Sequence, residues 1–149
     1  MSWEDVVKDR GASYPSIRDI FLHILDAYRY WFEYATKGSK VREYADIDTA
    51  NVKDIADLRK REREVDSLVM DIIHSLREED LQKVFEIDQS TDEDGNGGII
   101  SRSMEMILIH MLEEELQHRG ELNCLFWQQD IDPPITSYGE WLAQKGLRQ

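Results

Sequence analysis

The chain has 149 residues, 41% of them apolar or aromatic and 33% charged, with 31 acidic against 18 basic side chains and a net charge of −13. That length supports one domain with a core of its own. So strong a negative charge repels phosphate backbones and argues against nucleic acid as a partner, and no apolar run approaches the length of a membrane span.

One cysteine, Cys124, excludes an internal disulfide and fits a reducing compartment. Its neighbours Leu122, Leu125 and Phe126 predict a packed small hydrophobe rather than a nucleophile. The start, MSWEDVVKDRG, carries acids and no long apolar run, so no signal peptide is read there. A cytoplasmic location is expected.

Residues 3 to 9 predict a short opening helix, ended by Gly11. Ser13 or Ser16 can cap the first long helix, with Asp19 favouring its positive end. This helix is predicted from Pro15 to about Thr36, with Ile17, Ile20, Phe21, Ile24, Tyr28, Trp31 and Ala35 as its buried stripe. His23 lies at the edge of that stripe, near Tyr30. The aromatic group Tyr28, Tyr30, Trp31, Phe32 and Tyr34 reads as core, with Tyr30 placed to line a pocket near His23. Lys37 and Gly38 close the helix.

A second long helix, capped by Asp48 or Thr49, is predicted to reach Leu76. Val52, Ile55, Leu58, Val65, Leu68, Val69 and Ile72 keep helical spacing. The charged run RKRERE reads as a solvated face, and His74 suits the helix C-terminus. Leu81 to Ile87 alternates weakly, as a short strand does. Ile99 and Ile100 return as the second strand of a hairpin. A final short helix is predicted over Tyr138 to Lys145, capped by Ser137 and ended by Gly146.

The strongest helical run lies between, from Ser101 or Ser103 to Gln129. Met104, Ile107, Leu108, Met111, Leu122, Leu125 and Phe126 form one apolar stripe. His118 falls inside it, and Glu114 and Glu115 flank it. A histidine and an acid turned toward a core must be neutral, paired or bound to a metal. Glu114 and His118 stand one turn apart, where two side chains can grip one ion. A third ligand must come from another helix, and His23 is the only histidine on the facing long helix. Two histidines and one carboxylate leave coordination positions open, as catalytic sites do. A packed histidine beside a solvent pair is the competing reading. His110 and Glu115 compete with Glu114 as ligands.

The loop Asp92 to Ile99 copies the first eight positions of an EF-hand calcium loop, but position twelve is Ser103 rather than Glu. An acidic hairpin tip explains the same residues. No glycine-rich phosphate loop, G-x-S-x-G elbow or C-x-x-C pair is present.

Residues 16 to 32, SIRDIFLHILDAYRYWF, and 107 to 125, ILIHMLEEELQHRGELNCL, resemble the DinB-like family of small helical bundles. That family carries a histidine in an H-I-L-D pattern early, matched by His23-Ile24-Leu25-Asp26, and a late H-x-x-x-H-R-G. His118-Arg119-Gly120 matches the end of the late motif, while Glu114 stands where the family has its other histidine. His110 occupies a position where relatives often have a non-ligand histidine, and Glu115 matches a common glutamate. Leu76 to Leu81 and Ile131-Asp132-Pro133-Pro134 also fit.

The resemblance implies an antiparallel four-helix bundle with a small β-hairpin near 84–100. It also implies a divalent ion held by His23, Glu114 and His118. A carboxylate makes the donor set harder, which favours zinc, nickel, iron or manganese. Relatives are implied to transfer low-molecular-weight thiols to electrophiles, so a thiol-dependent transferase or hydrolase is expected. In that chemistry the metal lowers the thiol pKa and presents a thiolate. Glu115 or Asp26 would orient ligand histidines, and Arg119 would position an anionic substrate group or be structural. A homodimer is expected. The alternative is a non-catalytic metal-binding or dimerisation module.

Overall fold

The computed structural model describes residues 1–38, 44, 47–89, 98–134 and 137–146. Helix α1 spans Trp3–Val7, α2 Ile17–Arg29, α3 Ile55–Ser75, α4 Met104–Trp127 and α5 Tyr138–Gln144; strands β1 Val84–Asp88 and β2 Ile99–Ser103 lie between α3 and α4. The architecture is thus the expected helical one with a small hairpin. The strands pair antiparallel, Val84 with Ser103 and Asp88 with Ile99.

Caps set the starts of the helices. The Ser16 hydroxyl accepts from the Asp19 amide at 3.2 Å and donates to Asp19 Oδ2 at 2.6 Å. Those bonds satisfy an orphan donor and hold the buried Ser16 at the head of α2. Ser103 caps α4 by accepting from the Met106 amide. Asp48 caps only a single 3₁₀ turn, Thr49–Asn51. The long helix starts later, at Ile55, capped by Asp54, because Val52 is extended and buried and interrupts the helical path. The predicted strand from Leu81 also starts later, at Val84, since Glu78–Gln82 forms a 3₁₀ turn.

The first long helix is not regular to Thr36. It widens into a π turn, Tyr30–Tyr34, then tightens to 3₁₀ over Ala35–Lys37, and Gly38 ends it at φ 73°. That left-handed cap is where a glycine costs least. A π turn inserts extra chain and shifts the side-chain register. Phe32, seven positions after the buried Leu25, is buried in place of the expected Trp31, which packs at the edge of the core and lines a cleft. Leu22 and Leu25 are buried as well, because α2 packs against α1, α3 and α4 and buries more than one face. Helix α2, not α4, is the central element.

Two apolar clusters form. Ile17, Ile20, Leu25, Val52, Val65 and Leu125 belong to one; Phe32, Ala35, Phe85, Ile87, Ile107 and Met111 belong to the other. Along α4 the buried residues Met104, Met111, His118 and Leu125 recur every seven positions, so His118 falls between the part of the helix that serves each cluster. Cys124 is exposed, contrary to the reading from its neighbours. One helical step carries it about 100° from the buried Leu125. Among the described residues, no helix is long and apolar enough to cross a membrane.

Candidate metal centre

Helices α2 and α4 bring the three candidate ligands together. His23 Nε2 lies 3.2 Å from His118 Nε2, and Glu114 Oε2 lies 3.2 Å from His118 Nε2 and 4.0 Å from His23 Nε2. An ion about 2.0–2.1 Å from each of two tetrahedral ligands sets those ligands about 3.3–3.4 Å apart. Two of the three separations fit that edge, and the third opens wider. His23, Glu114 and His118 form a group able to hold a metal ion.

Proton accounting sharpens the fit. His118 is 5% exposed, and its Nδ1 lies 2.9 Å from Glu121 Oε2. An ionised carboxylate only accepts, so the proton of a neutral His118 belongs on Nδ1 and its Nε2 offers a lone pair. That lone pair faces Glu114 Oε2 and the second imidazole. Glu114 Oε2 and the two Nε2 atoms thus converge, and either a proton carried on His23 Nε2 or a metal ion can bridge them. Burial first, then the neighbouring His118, hold the His23 pKa below its ordinary value, although Glu114, Asp26 and Glu121 pull it up. A histidine that resists protonation keeps its lone pair for a ligand role.

Tyr14, in the segment before α2, covers the pair. Its ring stacks on His23 at 4.6 Å and meets His118 edge-on at 5.3 Å. Burial, with Glu121 and Glu114, raises its pKa and keeps the phenol protonated. Neither Tyr14 nor Glu121 was anticipated. The three-residue step from His118 to Glu121 was the only sequence signal for the second; nothing local marked the first.

The remaining candidates lie around this centre. His23, Glu114, Asp26, Tyr30, Trp31 and His110 line an open cleft of about 500 Å³. His110 packs edge-on against Trp31 at 4.9 Å and is not in the ligand group. The hydroxyl of Tyr30 is buried with no hydrogen-bond partner among the described residues. Asp26, expected as an orienting acceptor for a histidine, accepts from Tyr44 Oη and the Ile47 amide, each at 2.7 Å, and so pins the connection after α2. Glu115 accepts from Tyr28 Oη and lies 3.9 Å from Arg119 Nη1. Both line a separate cleft of about 320 Å³ with Tyr28, Val65 and Val69. Glu121 therefore holds the place expected for Asp26 or Glu115, and Arg119 faces away from the centre. The calcium-like residues Asp92 to Gly97 lie outside the described residues.

No curated protein matches this chain at a significant level. Residues 1–145 match the family model described as the DinB family. With that match spanning nearly the whole chain, the chain belongs to the DinB family.

Proposed function

We propose that this protein is a metal-dependent enzyme that holds a divalent transition ion on His23, Glu114 and His118. It acts on a small molecule in the adjoining cleft as a thiol-dependent transferase or hydrolase. The carrying observation is that His23, Glu114 and His118 converge as a group able to hold a metal ion, and that His23 and Glu114 of that group line an open cleft of about 500 Å³. A closed structural site would instead be surrounded by protein ligands. When bound, the ion supplies Lewis acidity that lowers the pKa of a thiol or water reaching it. The chain's own residues do the rest. Glu121 fixes the His118 tautomer, Tyr14 covers one face of His23 and meets His118 edge-on, and Trp31 and Tyr30 give the cleft an aromatic wall.

Zinc-loaded and metal-stripped protein should differ in the rate at which they conjugate small thiols to monochlorobimane. Full metal occupancy with no acceleration across a panel of thiols and electrophiles would reject the enzyme and leave a binding module.

One observation favours self-association alongside either reading. Leu112 and Leu116 are 58% and 51% exposed on the outer side of α4. Gly120 lies further along that side, and a Cβ there would meet nothing. A mid-helix glycine costs stability without serving its own fold, but it permits close approach of another helix. The occupant we propose is a second copy of this chain, its α4 laid across this one about a two-fold axis. Sedimentation equilibrium should give a dimer that Leu112→Glu with Leu116→Glu converts to monomer. A monomeric parent would end that reading.

A further inference from the structure

The cleft at the metal centre continues past His110. A neighbouring cleft of about 570 Å³ shares Trp31, Gln89 and His110 with it and reaches Ile100, Arg102 and Ile107. Arg102 is the only lysine or arginine among the described residues lining either cleft. Its backbone stands opposite Phe85 in the hairpin, and Ile87 stands opposite Ile100. Phe85 and Ile87 are buried, so the alternation of strand side chains puts Arg102 on the core-facing side. A guanidinium on that side is out of pattern, and such local violations concentrate at functional sites.

The Arg102 guanidinium also has donors free to meet a ligand. Its Nη1 donates to the Ser101 carbonyl at 3.1 Å, which uses one of five donors. Among the described residues no carboxylate pairs with it, as none pairs with Arg10, Arg59 or Arg63, but of these four only Arg102 lines either cleft. The fork of a guanidinium matches a carboxylate in two-point geometry. Ile100 and Trp31 give the cleft around Arg102 apolar and aromatic walls, and Trp31 also lines the cleft at the centre.

We infer that Arg102 is the anion-binding end of the substrate cleft, so that the preferred ligand is a small thiol with a carboxylate at its far end. The inference rests on the proposed function above. The thiol end lies toward His23, Glu114 and His118, the carbon chain lies along Trp31, and the carboxylate pairs with Arg102. The same cation would select against neutral thiols of equal length. The competing account is that an inward charge on the hairpin guards its edge against pairing with another strand.

Calorimetric titration of zinc-loaded protein with mercaptohexanoate and mercaptohexanol separates the accounts, because the two thiols differ only in the terminal carboxylate. Mercaptohexanoate should bind about tenfold or more tightly, the scale of one charge-assisted contact. Arg102→Ala should bind both thiols equally and retain its zinc, and Arg102→Lys should recover part of the preference. Raised salt should shrink the preference in the parent protein. Equal affinities in the parent, or an undiminished preference in Arg102→Ala, would overturn the role of Arg102 while leaving the metal centre standing. Loss of zinc from the parent, or failure of both thiols to bind, would remove the proposed function and this inference with it.

Discussion

The seam between α2 and α4 has two sides, and consecutive glutamates of α4 face one each. On one side Glu115 is answered within the protein, by the Tyr28 hydroxyl and the Arg119 guanidinium. Both partners bring protons, so that carboxylate needs nothing further. Glu114, on the other side, meets His23 Nε2 and His118 Nε2, and the latter offers it only a lone pair once Glu121 holds the His118 proton on Nδ1. One side is a finished structural contact and the other awaits a cation. Chemistry identical in sequence takes opposite roles according to what the facing helix presents: Tyr28 to one carboxylate, His23 to the other.

The hardest blow to that contrast is His118→Ala, which removes the atom at the centre of the group. Elemental analysis of protein purified without a metal-affinity tag should show up to one transition ion per chain in the parent and none in the variant. Stoichiometric metal in the variant would sink the assignment.

Exchanging the glutamates one at a time comes next. Glu114→Gln should weaken zinc, measured by competition with a chromophoric chelator, by roughly tenfold to a hundredfold or more, the range seen when even supporting groups of a site are lost. Glu115→Gln should leave zinc affinity unchanged. The reverse result would mean that the wrong carboxylate has been placed in the centre.

Tyr28→Phe tests the finished side. It strips Glu115 of a donor in a half-buried place and should cost about 1.5–3 kcal/mol of unfolding free energy. At this chain length that is a fall of several degrees in Tm by calorimetry. Zinc stoichiometry should not move. A Tm shift with metal loss would show that the two sides are coupled.

The smallest expected effect is that of acid. The folded chain holds the His23 pKa below the usual imidazole value, so between that lowered value and about 6.5 the unfolded chain binds more protons than the folded one. Stability of the metal-free protein should therefore be full above about pH 6.5 and decline as pH falls through that window. Zinc affinity should fall in the same direction, because protons compete for the ligand nitrogens. Urea unfolding of the stripped protein and chelator competition, each run from about pH 8 to about pH 5, check the sign. Affinity that rises toward acid would contradict a histidine-held ion.

Much of the frame was legible because it depends on short-range patterns. Ser16, Ser103 and Ser137 sit before apolar-periodic runs, and each caps a helix. The one-turn spacing of Glu114 and His118 needs only the helix to exist. The π turn at Tyr30–Tyr34 was not legible, since no residue in YWFEY forbids an ordinary helix. The exposure of Cys124 and of Ile109, Leu112 and Leu116 was equally hidden. Helix α4 carries apolar residues on both sides, so periodicity cannot tell which side meets α2.

From the sequence alone came the elements, their caps, and a histidine and two glutamates spaced to share a helix face. Those follow from hydrogen bonds and side-chain periods within about one turn of chain. The tertiary structure alone decided which glutamate meets His23, that Glu121 rather than Asp26 or Glu115 orients His118, and that Tyr14 covers the pair. Those outcomes depend on the rotation of α2 against α4, which dense packing of Ile20, Leu25, Ile107 and Leu125 sets and no local pattern encodes.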